Sequence, residues 1–240
     1  MLNKLHLDNI LFLDIETVPE HESFEELNAT MQDLFDTKTA YKRKEDETAE
    51  KYYGHAGIWA EFGKIVCISV GYLVSKEDER QFRIKSFSGE ERKLLVDFKT
   101  LLNTHFNKVQ HLLCAHNGKE FDFPYIARRM LINGIQLPKK LNLFGKKPWE
   151  IPYLDTLELW KFGDYKHYTS LKLMTAILKV PSPKDDIDGS QVKDVYYKEK
   201  DINRIVTYCE KDVLAIVQIV LKMRQEELLE AGEIISTSEL

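Results

Sequence analysis

The sequence has few cysteines and no long hydrophobic run. Its 240 residues include only Cys67, Cys114 and Cys209, an odd number at no metal-like spacing, which argues against a disulfide framework. Each lies in an apolar stretch, where a free cysteine behaves as a small hydrophobe. No segment approaches the roughly 18 apolar residues of a membrane span, and the N-terminus lacks the apolar run of a signal peptide. We therefore expect a cytoplasmic protein with no membrane partner.

An excess of positive charge is also missing. The formal net charge of −5 argues against a general nucleic-acid coating protein, which would usually be basic. It does not argue against an active site built from carboxylates, because such a site adds negative charge and bound divalent metals reverse that charge locally. Internal repeats and low-complexity tracts are absent. The length suits one large domain, or one domain with an insertion.

The hydrophobic pattern predicts an α/β protein in which helices cover one sheet. Residues 10–15 are apolar on both faces, which is typical of a central strand. Residues 21–62 are polar and charged and interrupt the strand series, so we interpret them as an insertion or lid within a single domain spanning residues 1–240. The predicted strands are 10–15, 64–74, 81–87, 111–115 and 152–154, and the predicted helices are 90–106, 123–132, 156–162, 170–178 and about 202–229.

The first chemical signal is Asp14-Ile15-Glu16 on the early strand. Residues i and i+2 of a strand point to one face, so two carboxylates project together from an apolar element. Burying them side by side is costly unless a positive charge neutralises them. A divalent cation such as Mg²⁺ or Mn²⁺ would do so with hard oxygen ligands. The alternative is a strand end at which both groups are solvated.

The second signal is the stretch from His116 to Asp122, HNGKEFD, directly after the predicted strand 111–115. Ligands of α/β sheets gather at the carboxyl ends of strands, and Asn-Gly marks a turn there. Asp122 then begins a helix. It is either a site carboxylate or simply the N-cap of that helix.

The third signal is Tyr208 and Asp212 in YCEKD, which leads into an apolar run. Residues four apart on a helix are neighbours on one face. The Tyr208–Asp212 pair is either part of a functional site or a tyrosine–carboxylate contact that only stabilises the helix. Tyr197 and Asp201 share this spacing, but we place Asp201 at the N-cap of the long helix and Tyr197 ahead of it.

In this order, the three signals resemble the DEDD exonuclease superfamily, and more closely the proofreading exonuclease domain of family B DNA polymerases. The matching segments are LFLDIETVP, KIVCISVGY, HNGKEFDFPYIARRM and YCEKDVLAIV. DTLELW, SLKLM and IDGSQV are also similar to stand-alone bacterial proteins described as family-B-like predicted 3′→5′ exonucleases. The resemblance covers residues 11–220, and its motifs are specific as a set.

The resemblance implies an RNase H-like fold, with a five-stranded mixed sheet flanked by helices. It also implies two divalent ions, Mg²⁺ or Mn²⁺, held by Asp14, Glu16, Asp122 and Asp212. Asp14 would bridge both ions, Glu16 and Asp212 would help hold the ion near the attacking water, and Asp122 would help hold the other. Tyr208 would orient that water, which assigns the chain to the tyrosine class of the superfamily.

The implied substrate contacts surround these carboxylates. Thr17 and Asn117 would approach the terminal nucleotide, and the ring of Phe121 would stack or wedge near it. Three lysines are candidate phosphate contacts: Lys119, Lys166 and Lys172.

The activity implied by the resemblance is release of nucleoside monophosphates from the 3′ ends of single-stranded DNA. An RNA exonuclease of the same fold is an alternative, because these motifs do not read the 2′-hydroxyl. A catalytically silent nucleic-acid-binding module is a more distant alternative, which loss of an acidic ligand would indicate. All four acidic residues are present. The sequence predicts no particular protein partner.

Overall fold

Six strands form one mixed sheet in the order β5-β4-β1-β2-β3-β6. The structure is a computed structural model that describes residues 2–76, 79–164, 167–181 and 186–237. The strands are β1 (Ile10–Pro19), β2 (Gly63–Lys76), β3 (Glu79–Ser88), β4 (Leu112–Ala115), β5 (Leu154–Asp155) and β6 (Ile234–Ser236). The α/β prediction is confirmed.

Strand β1 lies near the middle of the sheet, antiparallel to β2 and parallel to β4. Its first four residues, ILFL, are completely buried, as their unbroken apolar run predicts for a strand covered on both faces. The strand continues to Pro19, beyond the predicted end at residue 15. A shift in register between Glu16 and Thr17 lets the last three residues keep pairing with the start of β2.

Helices cover both faces of the sheet. The described α-helices are α1 (Ala29–Thr39), α2 (Ala49–Tyr52), α3 (Glu91–Thr104), α4 (Asp122–Ile132), α5 (Thr156–Lys161), α6 (Leu171–Leu178), α7 (Val192–Asp194) and α8 (Ile202–Arg224). Leu11 and Leu13 share a core with α3 and α4, whereas Ile10 and Phe12 share one with α8. This division follows from the alternation of side chains along a strand. Among the described residues, no helix combines the length and apolar character that crossing a membrane requires.

The prediction of five strands is wrong by one. Strand β6 has three residues and pairs in parallel with β3 at the sheet edge. So short an element leaves no periodic signal in the sequence. Helix α8 is also shorter than predicted, because Gln225 adopts a left-handed conformation with φ 60° and ends it. The chain then turns back, and the Gln218 amide bonds both backbone groups of Leu229.

The polar segment 21–62 folds into α1, α2 and several 3₁₀ turns around a small core of its own. Phe35 and Tyr53 are at its centre, with ring centroids 5.3 Å apart. Gly57 attaches the segment to the sheet, because its carbonyl oxygen accepts hydrogen bonds from Thr17 Oγ1 and Tyr125 Oη, each at 2.8 Å. Its treatment as an insertion within one domain stays a prediction.

Candidate active site

Asp14 and Glu16 lie where β1 extends past its parallel neighbour. Strand β4 ends at Ala115, one residue beyond the last pair of its ladder with β1. On the other side β1 remains paired with β2, opposite Ser69 and Cys67. Glu16 is only 8% exposed. The two carboxylates therefore sit at the carboxyl end of β4, where ligands of α/β sheets gather.

A tight turn after β4 brings Asp122 to this position. Asn117 adopts a left-handed conformation with φ 59°, and its carbonyl oxygen accepts from the backbone of Glu120 and Phe121. Asp122 is the first residue of α4 and is 3% exposed. The N-cap interpretation of Asp122 is wrong, because Phe121 occupies that position and no side chain caps the helix. Instead, the Asp122 carboxylate accepts a hydrogen bond from the Ile15 backbone.

Asp155 and His116 hold this turn from the next strand. The buried Asp155 carboxylate accepts from the backbone N–H groups of Asn117 at 2.9 Å and Lys119 at 3.0 Å. It also caps α5 through the N–H groups of Leu157 and Glu158. His116 Nε2 donates to the carbonyl oxygen of Thr169, and His116 Nδ1 accepts from the Thr156 hydroxyl, each at 2.8 Å.

Sequence reasoning assigned no role to Asp155 or His116. An available signal was Asp-Thr at a strand-to-helix junction, which is typical of an N-cap. It could not have shown that the cap also holds the turn after β4.

Helix α8 contributes Tyr208, Cys209 and Asp212. Tyr208 hydrogen-bonds to Asp212, as their spacing of four predicts. The pair at Tyr197 and Asp201 does not repeat this geometry. Asp201 caps α8 by accepting from the Arg204 backbone at 3.1 Å, and the Tyr197 hydroxyl donates to the carbonyl oxygen of Pro19 at 2.7 Å.

Burial and mutual repulsion dominate the electrostatics of the site. Burial raises the pKa of Asp14 and Glu16 well above their ordinary values, and the neighbouring carboxylates, including Asp122 and Asp212, raise them further. Burial also raises the pKa of Asp122 to about 7. Within the described residues, no lysine or arginine forms a salt bridge with Asp14, Glu16 or Asp122.

These carboxylates have the chemistry of a site for a hard divalent cation. Ligand atoms of Asp14, Glu16 and Cys209 lie within 4.8 Å of one another. Carboxylate oxygens suit Mg²⁺ or Mn²⁺, and a cation would relieve the repulsion that raises their pKa values. Cys209 Sγ lies 3.4 Å from both the carbonyl oxygen and Oδ2 of Asp14. Burial raises the pKa of this thiol, so it stays protonated and is a poor ligand for a hard ion.

The contact of Cys209 with Asp14 was not foreseen. Its position between Tyr208 and Asp212 on the helix was the available signal. Periodicity alone also explains it as a core residue, as its complete burial shows.

The predicted substrate contacts differ in their surroundings. Phe121 is half-buried, with its ring centroid 5.3 Å from that of Tyr125. The Asn117 side chain is also half-buried and makes no hydrogen bond among the described residues. Lys119 Nζ lies 2.5 Å from the Glu158 carboxylate. Asn117, Lys119 and Phe121 all belong to the turn that leads to Asp122.

Thr17 and the other two lysines are placed differently. The Thr17 hydroxyl is bound to the carbonyl oxygen of Gly57. Lys172 is exposed in the first turn of α6. Lys166 lies outside the described residues.

Comparison with known proteins identifies the family. Residues 58–233 match the family described as predicted 3′-5′ exonucleases related to the exonuclease domain of PolB. The chain belongs to this family. The matched residues include Asp122, Tyr208 and Asp212, whereas Asp14 and Glu16 precede them. No curated protein matches the chain.

Among solved structures, the chain is similar to the family B DNA polymerase of the hyperthermophilic archaeon Pyrobaculum calidifontis. The TM-score is 0.53 at 14% identity, over 89% of this chain and 24% of the polymerase. The chain therefore spans about a quarter of the polymerase's length. The likeness is one of fold, and it confirms the predicted RNase H-like α/β architecture apart from the extra edge strand.

Proposed function

We propose that this chain is a metal-dependent 3′→5′ exonuclease that releases nucleoside monophosphates from single-stranded DNA. The observation that carries the proposal is the convergence of carboxylates from three separate parts of the chain: β1, the start of α4, and α8. Asp14, Glu16 and Asp122 repel one another in a buried position, where their charged forms destabilise the protein unless they bind cations. Membership of the exonuclease family supports the same conclusion.

The four carboxylates of Asp14, Glu16, Asp122 and Asp212 would hold two ions, Mg²⁺ or Mn²⁺. Bound there, the ions would supply charge stabilisation for phosphodiester hydrolysis. The chain's own contribution is to fix the ligands. Strand β1 holds Asp14 and Glu16 on one face, and the Ile15 backbone orients Asp122.

Tyr208 would orient the attacking water rather than remove its proton. Burial and the neighbouring carboxylates, first among them Asp212, raise the pKa of Tyr208 above the ordinary value near 10. The hydroxyl therefore stays protonated at any working pH. Its one hydrogen is donated to Asp212 here and would have to turn from that carboxylate to the attacking water. A general base would need a pKa near the working pH.

The turn after β4 would meet the terminal nucleotide. Asn117 has an uncommitted side-chain amide, and Phe121 presents part of its ring beside Asp122. Stacking on an aromatic ring tolerates any base, which suits an exonuclease without sequence preference. Thr17 and Lys119 would have to release their present partners, Gly57 and Glu158, to contact a substrate.

The test is degradation of 5′-labelled single-stranded DNA and RNA with Mn²⁺ or Mg²⁺. We expect the wild type to produce a ladder that shortens from the 3′ end, and EDTA or Asp14→Ala to abolish it. Asp212→Asn should be equally inactive. Asp201→Asn is the matched control, because Asp201 lies in the same tyrosine–aspartate spacing and asparagine caps helices equally well.

Each outcome decides between the alternatives. If RNA is degraded faster than DNA, the proposed substrate becomes RNA and the proposed mechanism is unchanged. Intact polymers with both metals, while the protein still binds them, would overturn the proposal in favour of a silent binding module.

A further inference from the structure

Positive charge is concentrated in one part of this acidic chain. Residues 98–149 contain nine lysines and arginines but only two carboxylates, Glu120 and Asp122. This part therefore carries +7, and the remainder carries −12 to give the net −5. Between Asp122 and Glu150 there is no acidic residue at all. Such asymmetry within one chain indicates a surface for a polyanion.

The loop of residues 138–149 presents much of this charge together with two aromatic rings. Phe144 is 73% exposed and Trp149 is 77% exposed. Lys147 Nζ lies 5.3 Å from the Trp149 ring centroid. The lysines of this basic–aromatic loop are Lys139, Lys140, Lys146 and Lys147. Among the described residues, none of the four forms a salt bridge with a carboxylate.

The loop is anchored to the core. Leu141 is buried in the main core, and Leu143 and Ile151 pack against it. The Tyr153 hydroxyl donates to the carbonyl oxygen of Lys140 at 2.7 Å. The two rings are therefore held outward by a fixed backbone. One carboxylate lies beside them, because Glu150 accepts a hydrogen bond from the Lys147 backbone at 2.8 Å, but the loop carries four lysines against this one acidic neighbour. Large apolar rings kept exposed among lysines match the stacking and charge that single-stranded nucleic acid requires.

The loop lies at the opposite end of β4 from the carboxylates. Lys140 Nζ bonds to the carbonyl oxygens of Lys108 and His111, just before β4 begins, whereas the candidate site follows the end of β4. Four strand residues span about 13 Å. The loop also leads to β5, the strand at that edge of the sheet. A strand whose 3′ end reaches the carboxylates can pass along this edge to the loop.

We propose that the basic–aromatic loop, with the exposed Lys108, is a second contact surface for single-stranded nucleic acid. It would hold the substrate several nucleotides to the 5′ side of the scissile bond, an assignment of polarity that rests on the proposed function. Phe144 and Trp149 would stack with bases, while the lysines contact phosphates. The surface would thereby favour long substrates over short ones.

The test is binding of fluorescent single-stranded oligonucleotides of about 6 and about 25 nucleotides, measured by anisotropy in EDTA. Two double variants remove either the rings or two of the lysines: Phe144→Ala/Trp149→Ala and Lys146→Ala/Lys147→Ala. Each should weaken binding of the long oligonucleotide about tenfold or more. The short one can make fewer of these contacts at once, so it should bind the wild type more weakly and lose less affinity in the variants. The lysine variant should also lower the slope of log affinity against log salt by about 1.4.

Tyr41→Ala/Lys42→Ala is the matched control. Tyr41 is 79% exposed, and Lys42 Nζ lies 5.8 Å from its ring centroid, but this pair belongs to the segment 21–62, which has ten carboxylates against five lysines and arginines. Its variant should bind both oligonucleotides like the wild type. All the substituted residues are on the surface, and unchanged circular dichroism would establish that the variants are folded.

Unchanged affinity for the long oligonucleotide in both loop variants overturns the inference, whether or not the wild type is a nuclease. If both loop variants bind the long oligonucleotide more weakly but the wild type hydrolyses nothing in Mn²⁺, the result supports the second contact surface. The same result overturns the proposed exonuclease activity and, with it, the proposal that the loop holds the 5′ side of the substrate. Weakened binding together with slower degradation of only the long substrate supports both proposals.

Discussion

Burial, and after it the neighbouring carboxylates, raise the pKa of the Tyr208 hydroxyl, so it keeps its proton and remains a hydrogen-bond donor. Tyr208→Phe removes that donor and keeps the ring. We expect kcat to fall about 10²-fold, the effect of losing one well-placed donor, with KM little changed. Steady-state degradation of labelled DNA across a range of pH measures both. The pH profile should keep its shape, because Tyr208 does not titrate in the working range.

Tyr197→Phe controls for the loss of a tyrosine hydroxyl, because Tyr197 bonds to the carbonyl oxygen of Pro19 away from the carboxylates. Disappearance of one limb of the pH profile in Tyr208→Phe would identify Tyr208 as a titrating base and contradict its role as an orienting donor.

The buried carboxyl of Asp122 predicts an unusual pH dependence for the metal-free protein. Its pKa is about 7 in the folded state, against about 3.9 in the unfolded chain. Below pH 3.9 the Asp122 carboxyl is protonated in both states, so its titration takes nothing from the free energy of unfolding there. As the pH rises to 7, the unfolded chain releases its proton first, and the folded state loses up to roughly 4 kcal/mol. We expect a lower melting temperature at pH 8 than at pH 5 in EDTA.

Asp122→Asn should remove much of this loss and make the metal-free protein more stable than the wild type at pH 8. Addition of Mn²⁺ should reverse the order, because only the wild type has the full set of proposed ligands. Equal melting temperatures for wild type and variant in EDTA at pH 8 would contradict the buried, repelled state of Asp122.

At the scale of elements, the turn after β4 depends on a residue of β5. Asp155→Ala removes the acceptor for four backbone N–H groups in the turn and in α5. We expect a loss of about 1–3 kcal/mol in the free energy of unfolding, and weaker Mn²⁺ binding as Asp122 loses its fixed position. Chemical denaturation and calorimetric titration measure the two effects.

Asp155→Asn distinguishes the hydrogen bonds that Oδ1 accepts from the one that Oδ2 accepts. Oδ1 accepts from Asn117, Leu157 and Glu158, so an asparagine oxygen can keep those bonds, and only the bond from Lys119 to Oδ2 is lost. Its effect on stability and on Mn²⁺ binding should be clearly smaller than that of Asp155→Ala. Unchanged Mn²⁺ affinity in Asp155→Ala would show that the turn keeps its shape without this clamp.

The elements with strong patterns were predictable from the sequence. The apolar run of β1 and the helical spacing in α3 and α4 are local properties. The order of the acidic motifs was enough to single out Asp14, Glu16, Asp122 and Asp212 as candidates. Strand β6 and the end of α8 were not predicted, because β3 and Leu229 determine them through pairing and packing. The contacts of Asp155 and Cys209 depend in the same way on tertiary neighbours. The catalytic role of the four acidic residues stays a prediction.

At the scale of the whole molecule, one buried ion pair joins several elements. Arg129 of α4 donates to Glu91 at the start of α3 and to the carbonyl oxygen of Ala60. Glu91 also accepts from the Ile65 backbone on β2. In Arg129→Met the nearly buried carboxylate of Glu91 loses its countercharge and keeps only the hydrogen bonds from the Ile65 backbone and Asn133 Nδ2. We therefore expect a loss of about 3–5 kcal/mol in the free energy of unfolding.

Glu91→Gln added to Arg129→Met should recover part of that loss, because it removes the charge while its oxygen still accepts from Ile65. Lys93→Met is the exposed control. Lys93 pairs with Asp97 on the surface, and its loss should cost less than about 1 kcal/mol. A loss equally small in Arg129→Met, measured by urea denaturation, would show that the buried pair does not join these elements.

The position of β1 in the sheet has a consequence for hydrogen exchange. The strand that carries Asp14 and Glu16 pairs with β4 over Ile10–Phe12 and with β2 over Phe12–Pro19, and helices cover both of its faces. Strands β5 and β6, in contrast, are short and lie at the edges. Amides at the edges can exchange by local fraying, but those of β1 exchange only when the whole protein unfolds. Half of the carboxylates proposed to bind metal are thus carried by the part of the molecule that opens last.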